Sequence, residues 1–112
     1  MRVRLLRKET IEDFAEDHAN GRNHFIGLLS SLKSADWTRA EDITTTISGN
    51  LLGNGSDRVV FDLGGNGRNA FRVICKYVFG ERRVILYVAW IGTHEQYNAL
   101  TQKDKLRVWN CN

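Results

Sequence analysis

Apolar and polar residues alternate with the period of a β-strand in two neighbouring runs, residues 71–79 and 82–91. Both runs are rich in β-branched and aromatic residues, which favour strands over helices. The intervening Gly80-Glu81 fits a two-residue turn in which the glycine adopts a positive φ. Such a turn fixes the register and places Phe79 opposite Arg82. The pattern therefore predicts a β-hairpin at the centre of the fold.

The two faces of this hairpin differ in character. One face is almost entirely apolar, with Phe71 opposite Trp90, so we expect it to be buried. The other, which we call the second face, carries Arg72 and Lys76, whose Cα atoms lie roughly 13 Å apart at the strand rise. In this register the members of the second face are Arg72, Ile74, Lys76 and Val78 on one strand and Arg83, Ile85, Tyr87 and Ala89 on the other. Since none of them is a carboxylate, the sequence predicts two exposed, unneutralised cations, with Arg72 opposite the small Ala89.

Helical spacing of apolar residues appears in the first third of the chain. Residues 11, 14, 15 and 18 predict a first helix, capped by Thr10 and ending near residue 19. Residues 25, 28, 29 and 32 predict a second helix. Two amphipathic helices joined by a tight turn form an αα-hairpin, which we expect to cover the apolar face of the strands.

A further helix is predicted directly after the central hairpin. Thr93 and Gln96 have the spacing of a capping box, in which each side chain bonds the other residue's backbone N–H. His94 and Tyr97 then lie on one face of the first helical turn, near the end of the sheet that holds Arg72.

The rest of the chain predicts short strands and loops. Residues 1–6 and 58–63 have strand character, whereas residues 43–57 have little periodicity and predict a mobile loop. The glycine run at residues 64–67 predicts a strand connection, since no phosphate-loop lysine follows it. These elements predict an α+β domain covering residues 1–112, with a mainly antiparallel sheet of three to four strands and a short C-terminal helix.

Composition narrows the function classes. The net charge is +3, and basic residues gather on the strands and termini while acidic residues gather on the first helix. This asymmetry is typical of a protein that contacts a polyanion on one side. The chain has no apolar run long enough for a membrane span and no zinc-ligand spacing, so we expect a cytoplasmic protein.

The placed residues resemble a known family. The chain resembles the HigB toxins of bacterial type II toxin–antitoxin systems, a branch of the RelE-like ribonuclease superfamily. The most specific segment is Ile91-Gly-Thr-His-Glu-Gln-Tyr97, because this family typically ends its sheet with Gly-Thr-His and a tyrosine three residues later. The resemblance runs almost end to end and also includes the opening strand and helix, Lys33–Trp37, Val59–Leu63 and Phe71–Lys76.

The resemblance implies a RelE-like fold and a ribosome-dependent mRNA endonuclease (mRNA interferase), neutralised by a helix-turn-helix (HigA-like) antitoxin and needing no cofactor. The implied catalytic residues are Arg72, Lys76, His94 and Tyr97, and the implied RNA-binding residues are Asn66, Arg68, Asn69, Arg83 and Tyr87. Two departures stand out. The glycine loop is longer than usual, so either Asn66 or Asn69 corresponds to the family's asparagine, and Ala89 stands where many members carry arginine.

Metal-free RNA cleavage needs a base for the 2′-hydroxyl, cations at the phosphate and an acid for the leaving 5′-oxygen. Arg72 and Lys76 suit the phosphate, and His94, as the residue type most often used for general acid–base catalysis, suits proton transfer. Tyr97 suits hydrogen bonding or stacking. Two other functions fit the same residues: a non-nuclease, ParE-like toxin that acts on gyrase, and a protein whose apolar second face (Ile74, Ile85 and Tyr87) binds a partner.

Overall fold

The computed structural model describes residues 1–53, 55–65, 67 and 69–109. In chain order its strands are β1 (Arg2–Leu6), β2 (Gly49–Leu52), β3 (Arg58–Leu63), β4 (Phe71–Phe79) and β5 (Arg83–Thr93). Its helices are α1 (Lys8–Asp17), α2 (Arg22–Ser34), α3 (Ala40–Thr46), α4 (His94–Asn98) and α5 (Gln102–Lys105), with a 3₁₀ turn at Ala19–Gly21. Within the described part of the chain, no helix is long and apolar enough to cross a membrane.

The strands form one mixed sheet in the order β1-β5-β4-β3-β2. All pairs are antiparallel except β1 and β5, which run parallel. The α+β class and the mainly antiparallel sheet are therefore confirmed. The predicted count of three to four strands is too low, because β2 lies in residues 43–57, where the sequence predicted a mobile loop. This segment instead contains most of α3 and an edge strand paired with β3.

The central hairpin forms, but in a different register. Phe79 pairs with Val84 rather than Arg82, and the Gly80 N–H donates to the Arg83 carbonyl at 3.0 Å. The turn is therefore longer than the predicted two residues, and Gly80 does not take a positive φ. Because the shift is two residues, side chains near the turn keep their predicted faces.

A β-bulge changes the faces farther along β5. Cys75 pairs with Val88, but the next residue of β4, Ile74, pairs with Trp90, so Ala89 is an extra residue on β5. A bulge reverses the alternation beyond it. Trp90 therefore lies on the second face beside Ile74, and the prediction that it shares the apolar face with Phe71 is wrong.

The helices cover one face of the sheet, as the sequence predicted. Ile11 of α1 and Phe25, Leu28 and Leu32 of α2 pack in one buried cluster with the apolar side chains of β3, β4 and β5. The αα-hairpin on one face is thus confirmed. The start of α1 differs from the prediction: the helix begins at Lys8, and Arg7 precedes it in the left-handed conformation with φ 66°.

The C-terminal segment covers part of the second face. A smaller buried cluster there joins Leu52, Val60, Ile74, Ala89 and Trp90 from four strands. Half-buried side chains from residues 97–108 pack onto it, namely Tyr97, Leu100 and Val108. The prediction of an open second face is therefore wrong for its central part. The short C-terminal helix is present as α4, and α5 follows it.

Candidate active site

The C-terminal segment divides the polar part of the second face into two regions. At the end of the sheet where β5 runs into α4 lies a group that we call the histidine cluster: Asp62, Arg72, His94, Tyr97 and Asn98. On the other side of the segment lies an open groove with a volume of about 680 Å³. Its walls are formed by Leu6, Arg7, Glu9, Lys76, Val78, Tyr87 and Trp109.

Arg72 is the most deeply buried charge of the histidine cluster. Its Nε lies 3.0 Å from Oδ1 of Asp62, which is its register partner on β3, and the Arg72 side chain is 5% exposed. Nη1 donates to the Phe71 carbonyl at 2.9 Å and Nη2 to the Gly65 carbonyl at 2.8 Å. The prediction of an exposed, unneutralised Arg72 is therefore wrong. Its partner across β5 is Gly92 rather than Ala89.

His94 is held at the first position of α4. Its backbone N–H donates to the Ala70 carbonyl at 2.9 Å, which fixes the start of the helix beside β4. The predicted capping box is confirmed, because the Gln96 N–H donates to the Thr93 hydroxyl and the Thr93 N–H donates to the Gln96 side chain.

The two ring nitrogens of His94 differ in their surroundings. Nε2 lies 3.2 Å from the Asn98 side-chain nitrogen, one helical turn later. Nδ1 is buried, and none of the described residues bonds it. Burying a polar atom without a hydrogen bond is costly, and such atoms are often used by function. Nδ1 is therefore the ring nitrogen of His94 whose hydrogen-bonding capacity the described residues leave unused.

Tyr97 joins the cluster three residues after His94 on α4. Its ring packs on Trp90 with centroids 6.2 Å apart, and the Lys105 ammonium lies 4.2 Å from the ring centroid. Burial raises the pKa of the Tyr97 phenol, the Asp62 carboxylate raises it further and Arg72 opposes them. The phenol is therefore protonated at neutral pH and can donate a hydrogen bond.

Lys76 lies in the open groove, away from the histidine cluster. It pairs across the sheet with Arg58 and Tyr87, and its ammonium lies 3.5 Å from an Asp57 carboxylate oxygen. The Lys76 side chain is 43% exposed, so this ion pair is accessible to water and contributes little. Arg72 and Lys76 stand four residues apart on one strand, so they would meet different phosphates of a bound chain.

The remaining predicted RNA-binding residues are spread over the molecule. Asn69 is exposed, and its side-chain oxygen accepts a hydrogen bond from Asn20 at 2.7 Å. Arg83 lies at the far end of β5, opposite Arg2 of β1. It borders a second groove between β1, α1 and α2, so it does not join the histidine cluster. Asn66 and Arg68 lie outside the described residues.

Comparison with protein families decides the identity. The family model of the HigB toxin, described as the RelE-like toxic component of a toxin–antitoxin system, matches residues 22–100. The chain belongs to the HigB toxin family. A comparison with curated proteins found no match.

The matched span of this HigB-family toxin contains the whole histidine cluster and Lys76. It excludes Arg7, Glu9 and Trp109, which line the open groove from both ends of the chain. Membership of the family identifies the protein as the toxic component of a toxin–antitoxin system, and such a system includes an antitoxin.

Sequence reasoning missed two members of this toxin's histidine cluster. Asn98 follows His94 by four residues, so helical spacing alone places them side by side. Asp62 is harder to identify from the sequence, because its pairing with Arg72 depends on the register between β3 and β4. Its signal is a lone carboxylate in the otherwise apolar run that follows Arg58.

Proposed function

We propose that this toxin is a ribosome-dependent mRNA endonuclease and that the histidine cluster carries the chemistry. The observation that carries the proposal is the position of His94 and Tyr97 on α4, which begins at the end of the sheet that holds the Arg72–Asp62 pair. Proton-transfer groups and a buried cation are the components that metal-free RNA cleavage requires. All of them lie within the span matched by the toxin family.

The proposed reaction is an attack of an RNA 2′-oxygen on the adjacent phosphorus atom. The bond from phosphorus to the 5′-oxygen breaks, which leaves a 2′,3′-cyclic phosphate and a 5′-hydroxyl. His94 takes the proton of the 2′-hydroxyl. Tyr97 donates a proton or hydrogen bond to the departing oxygen, because its phenol is protonated at neutral pH.

Arg72 takes a different role from the one that the sequence predicted. With its guanidinium bonded to Asp62 and to two backbone carbonyls, it is built into the protein rather than presented to solvent. We propose that it stabilises negative charge at the cluster through the field of its fixed guanidinium and positions Asp62 near Tyr97. Preorganised charges of this kind need no rearrangement during the reaction.

Lys76 and Tyr87 are proposed to bind RNA beyond the cleaved bond. They face each other across β4 and β5 in the open groove, and a phosphate can compete with the exposed Asp57 for the lysine. Asn69 and Arg83, and with them Asn66 and Arg68, remain proposed RNA contacts. The proposed partners are mRNA on the cytoplasmic ribosome and a helix-turn-helix antitoxin, which co-purification with the product of the neighbouring gene would test.

The test is cleavage of a defined mRNA by the purified toxin on translating ribosomes, read by primer extension. Fragments with 5′-hydroxyl ends accept a kinase label without prior phosphatase treatment. His94→Gln should slow cleavage by about 100-fold or more, the usual contribution of a general base. His24→Gln, which removes the exposed histidine of α2, is the matched control and should cleave normally.

Two outcomes would contradict the proposal. Normal cleavage by a folded His94→Gln protein would remove the histidine cluster from the chemistry. Intact mRNA together with inhibited DNA supercoiling would favour a ParE-like toxin that acts on gyrase instead.

A further inference from the structure

The open groove is built by residues from both ends of the chain. Trp109 forms one wall and is 43% exposed, whereas Trp37 and Trp90 are 0% and 7% exposed. Tyr87 and Val78 line the same groove from the sheet. An aromatic side chain beside cations in an open groove is the arrangement with which proteins bind single-stranded nucleic acids.

Trp109 is fixed in place by a buried arginine of β3. Nη1 of Arg58 donates to the carbonyls of Lys105 at 3.3 Å and Val108 at 2.8 Å, and the Arg58 side chain is buried. Val108 packs on the Ile74 cluster, and the ring of Trp109, the next residue, has its centroid 6.0 Å from the Arg58 guanidinium carbon. The aromatic wall of the groove is therefore part of the folded structure.

Arg7 provides the second unusual feature. It adopts a left-handed backbone conformation with φ 66°, which costs a residue with a side chain on the order of 1 kcal/mol or more. This conformation immediately precedes α1, and the Arg7 guanidinium carbon lies 5.2 Å from the centroid of the Trp109 ring. Strained residues cluster at binding sites, where the strain fixes a side chain in place.

Among the described residues, Glu9 lines the groove with a carboxylate, and Asp57 lies beside it as the ion-pair partner of Lys76. A carboxylate repels phosphate but accepts a hydrogen bond from an exocyclic amino group such as that of cytosine. Glu9 therefore favours a base over a phosphate at its own position, while Arg7 and Lys76 provide the positive charge for the flanking phosphates.

We propose that the groove lined by Arg7, Glu9, Lys76, Tyr87 and Trp109 is a nucleotide-binding site for single-stranded RNA, with an amino-bearing base against Trp109. The proposal rests on the proposed ribonuclease function, for which it provides a second contact region away from the histidine cluster. It also assigns a role to Arg7, Glu9 and Trp109, which the family match does not include.

The test uses hexacytidylate RNA and the full-length toxin without ribosomes. Because Trp109 is the exposed tryptophan of three, saturable quenching of tryptophan emission by the RNA reports on the groove. Fluorescence anisotropy of labelled hexacytidylate then gives the affinity of each variant. Stacking of a base on an aromatic ring contributes about 1–3 kcal/mol, so Trp109→Leu should weaken binding by about 5- to 150-fold. Hexauridylate should bind more weakly than hexacytidylate, and Glu9→Gln should reduce that difference.

Arg7→Gly removes the cation, and glycine readily adopts the positive φ found there. The variant also loses the guanidinium contact with the Trp109 ring, so its Tm is measured alongside as the folding control. Its plot of log affinity against log salt should be flatter by about 0.7, the value for one phosphate contact on a single strand. Arg39→Gln is the control with the same change of charge, since Arg39 is exposed beside α3 and makes a weak ion pair with Glu41 at 3.7 Å.

Several results would overturn the proposal. These are an absence of saturable quenching, unchanged affinity in Trp109→Leu, and an equal change of salt dependence in Arg7→Gly and Arg39→Gln. Quenching by the antitoxin with no binding of hexacytidylate would make the groove a protein-docking surface. Binding of hexacytidylate at Trp109 by a toxin that cleaves no mRNA would support the groove and reject the proposed function.

Discussion

Arg72→Ala is expected to destabilise the toxin severely, even though the residue stands at the proposed active site. The variant removes the partner of Asp62 and the donor to the carbonyls of Phe71 and Gly65. Breaking a buried ion pair from one side typically costs about 3–5 kcal/mol, because the remaining charge stays buried without a partner. The Asp62 side chain is 28% exposed, so water can partly solvate it, and we expect a cost of about 3 kcal/mol, at the lower end of that range.

This loss converts into a large change of melting temperature. Unfolding of a protein of 112 residues has an entropy of about 0.24 kcal/mol/K at about 2.1 cal/mol/K per residue. A loss of 3 kcal/mol therefore lowers the Tm by about 13 °C. Thermal unfolding followed by circular dichroism measures this directly on purified protein.

Lys76→Ala is the matched control on the same strand and the same face. Its ion pair with Asp57 is longer, at 3.5 Å, and both side chains are about half exposed. An exposed pair contributes about 0–1 kcal/mol, so we expect a Tm change of at most about 4 °C. An Arg72→Ala protein that melts as Lys76→Ala does would refute the reasoning and show that the Arg72 guanidinium is solvated. If the Tm of Arg72→Ala falls by about 13 °C, the variant can fail to arrest growth simply because it is unstable. Such a failure would then not by itself implicate the arginine in phosphate binding.

Two further predictions concern Tyr97 and the acidic helix α1. Burial raises the pKa of Tyr97 in the folded protein. At pH values between the ordinary and the raised pKa, the unfolded chain binds fewer protons than the folded protein, so the free energy of unfolding falls as pH rises. Tyr97→Phe should therefore reduce the fall in Tm above about pH 10. The fall should not disappear, because burial also raises the pKa of Tyr77. A Tm profile identical to that of the wild type would contradict a raised pKa at Tyr97. Replacing Glu12 and Glu16 by lysine should leave mRNA cleavage intact, because both residues are exposed on α1, which packs on the face of the sheet opposite the second face. A folded variant that no longer cleaves mRNA would instead place RNA on the helical face.

Sequence periodicity predicted the main elements because their patterns are local. The apolar stripe of α2 and the Thr93–Gln96 capping box each depend on residues within a few positions of one another. The side of the sheet that Arg72 and Lys76 occupy was likewise predicted correctly from alternation. These properties survive an error of two residues in the hairpin register.

The environment of the site depends on contacts between distant residues, which the pattern does not contain. Asp62 neutralises Arg72 only because β3 pairs with β4 in one particular register. The bulge at Ala89 has no sequence signal, because neither glycine nor proline stands at that position. It nevertheless reverses the faces of all later residues of β5. The C-terminal residues covering Ile74 have too little periodicity to predict where they pack.

The bulge also explains why a glycine precedes Thr93 and His94 in this chain. Because Ala89 is an extra residue, the Trp90 ring lies on the second face and extends over Gly92. A β-carbon at Gly92 would lie 2.5 Å from the Trp90 ring and 2.8 Å from the capping side-chain oxygen of Gln96. Any larger residue would therefore displace either the ring on which Tyr97 packs or the cap that begins α4. The glycine is required by packing, and through that packing it sets the position of the proposed catalytic tyrosine.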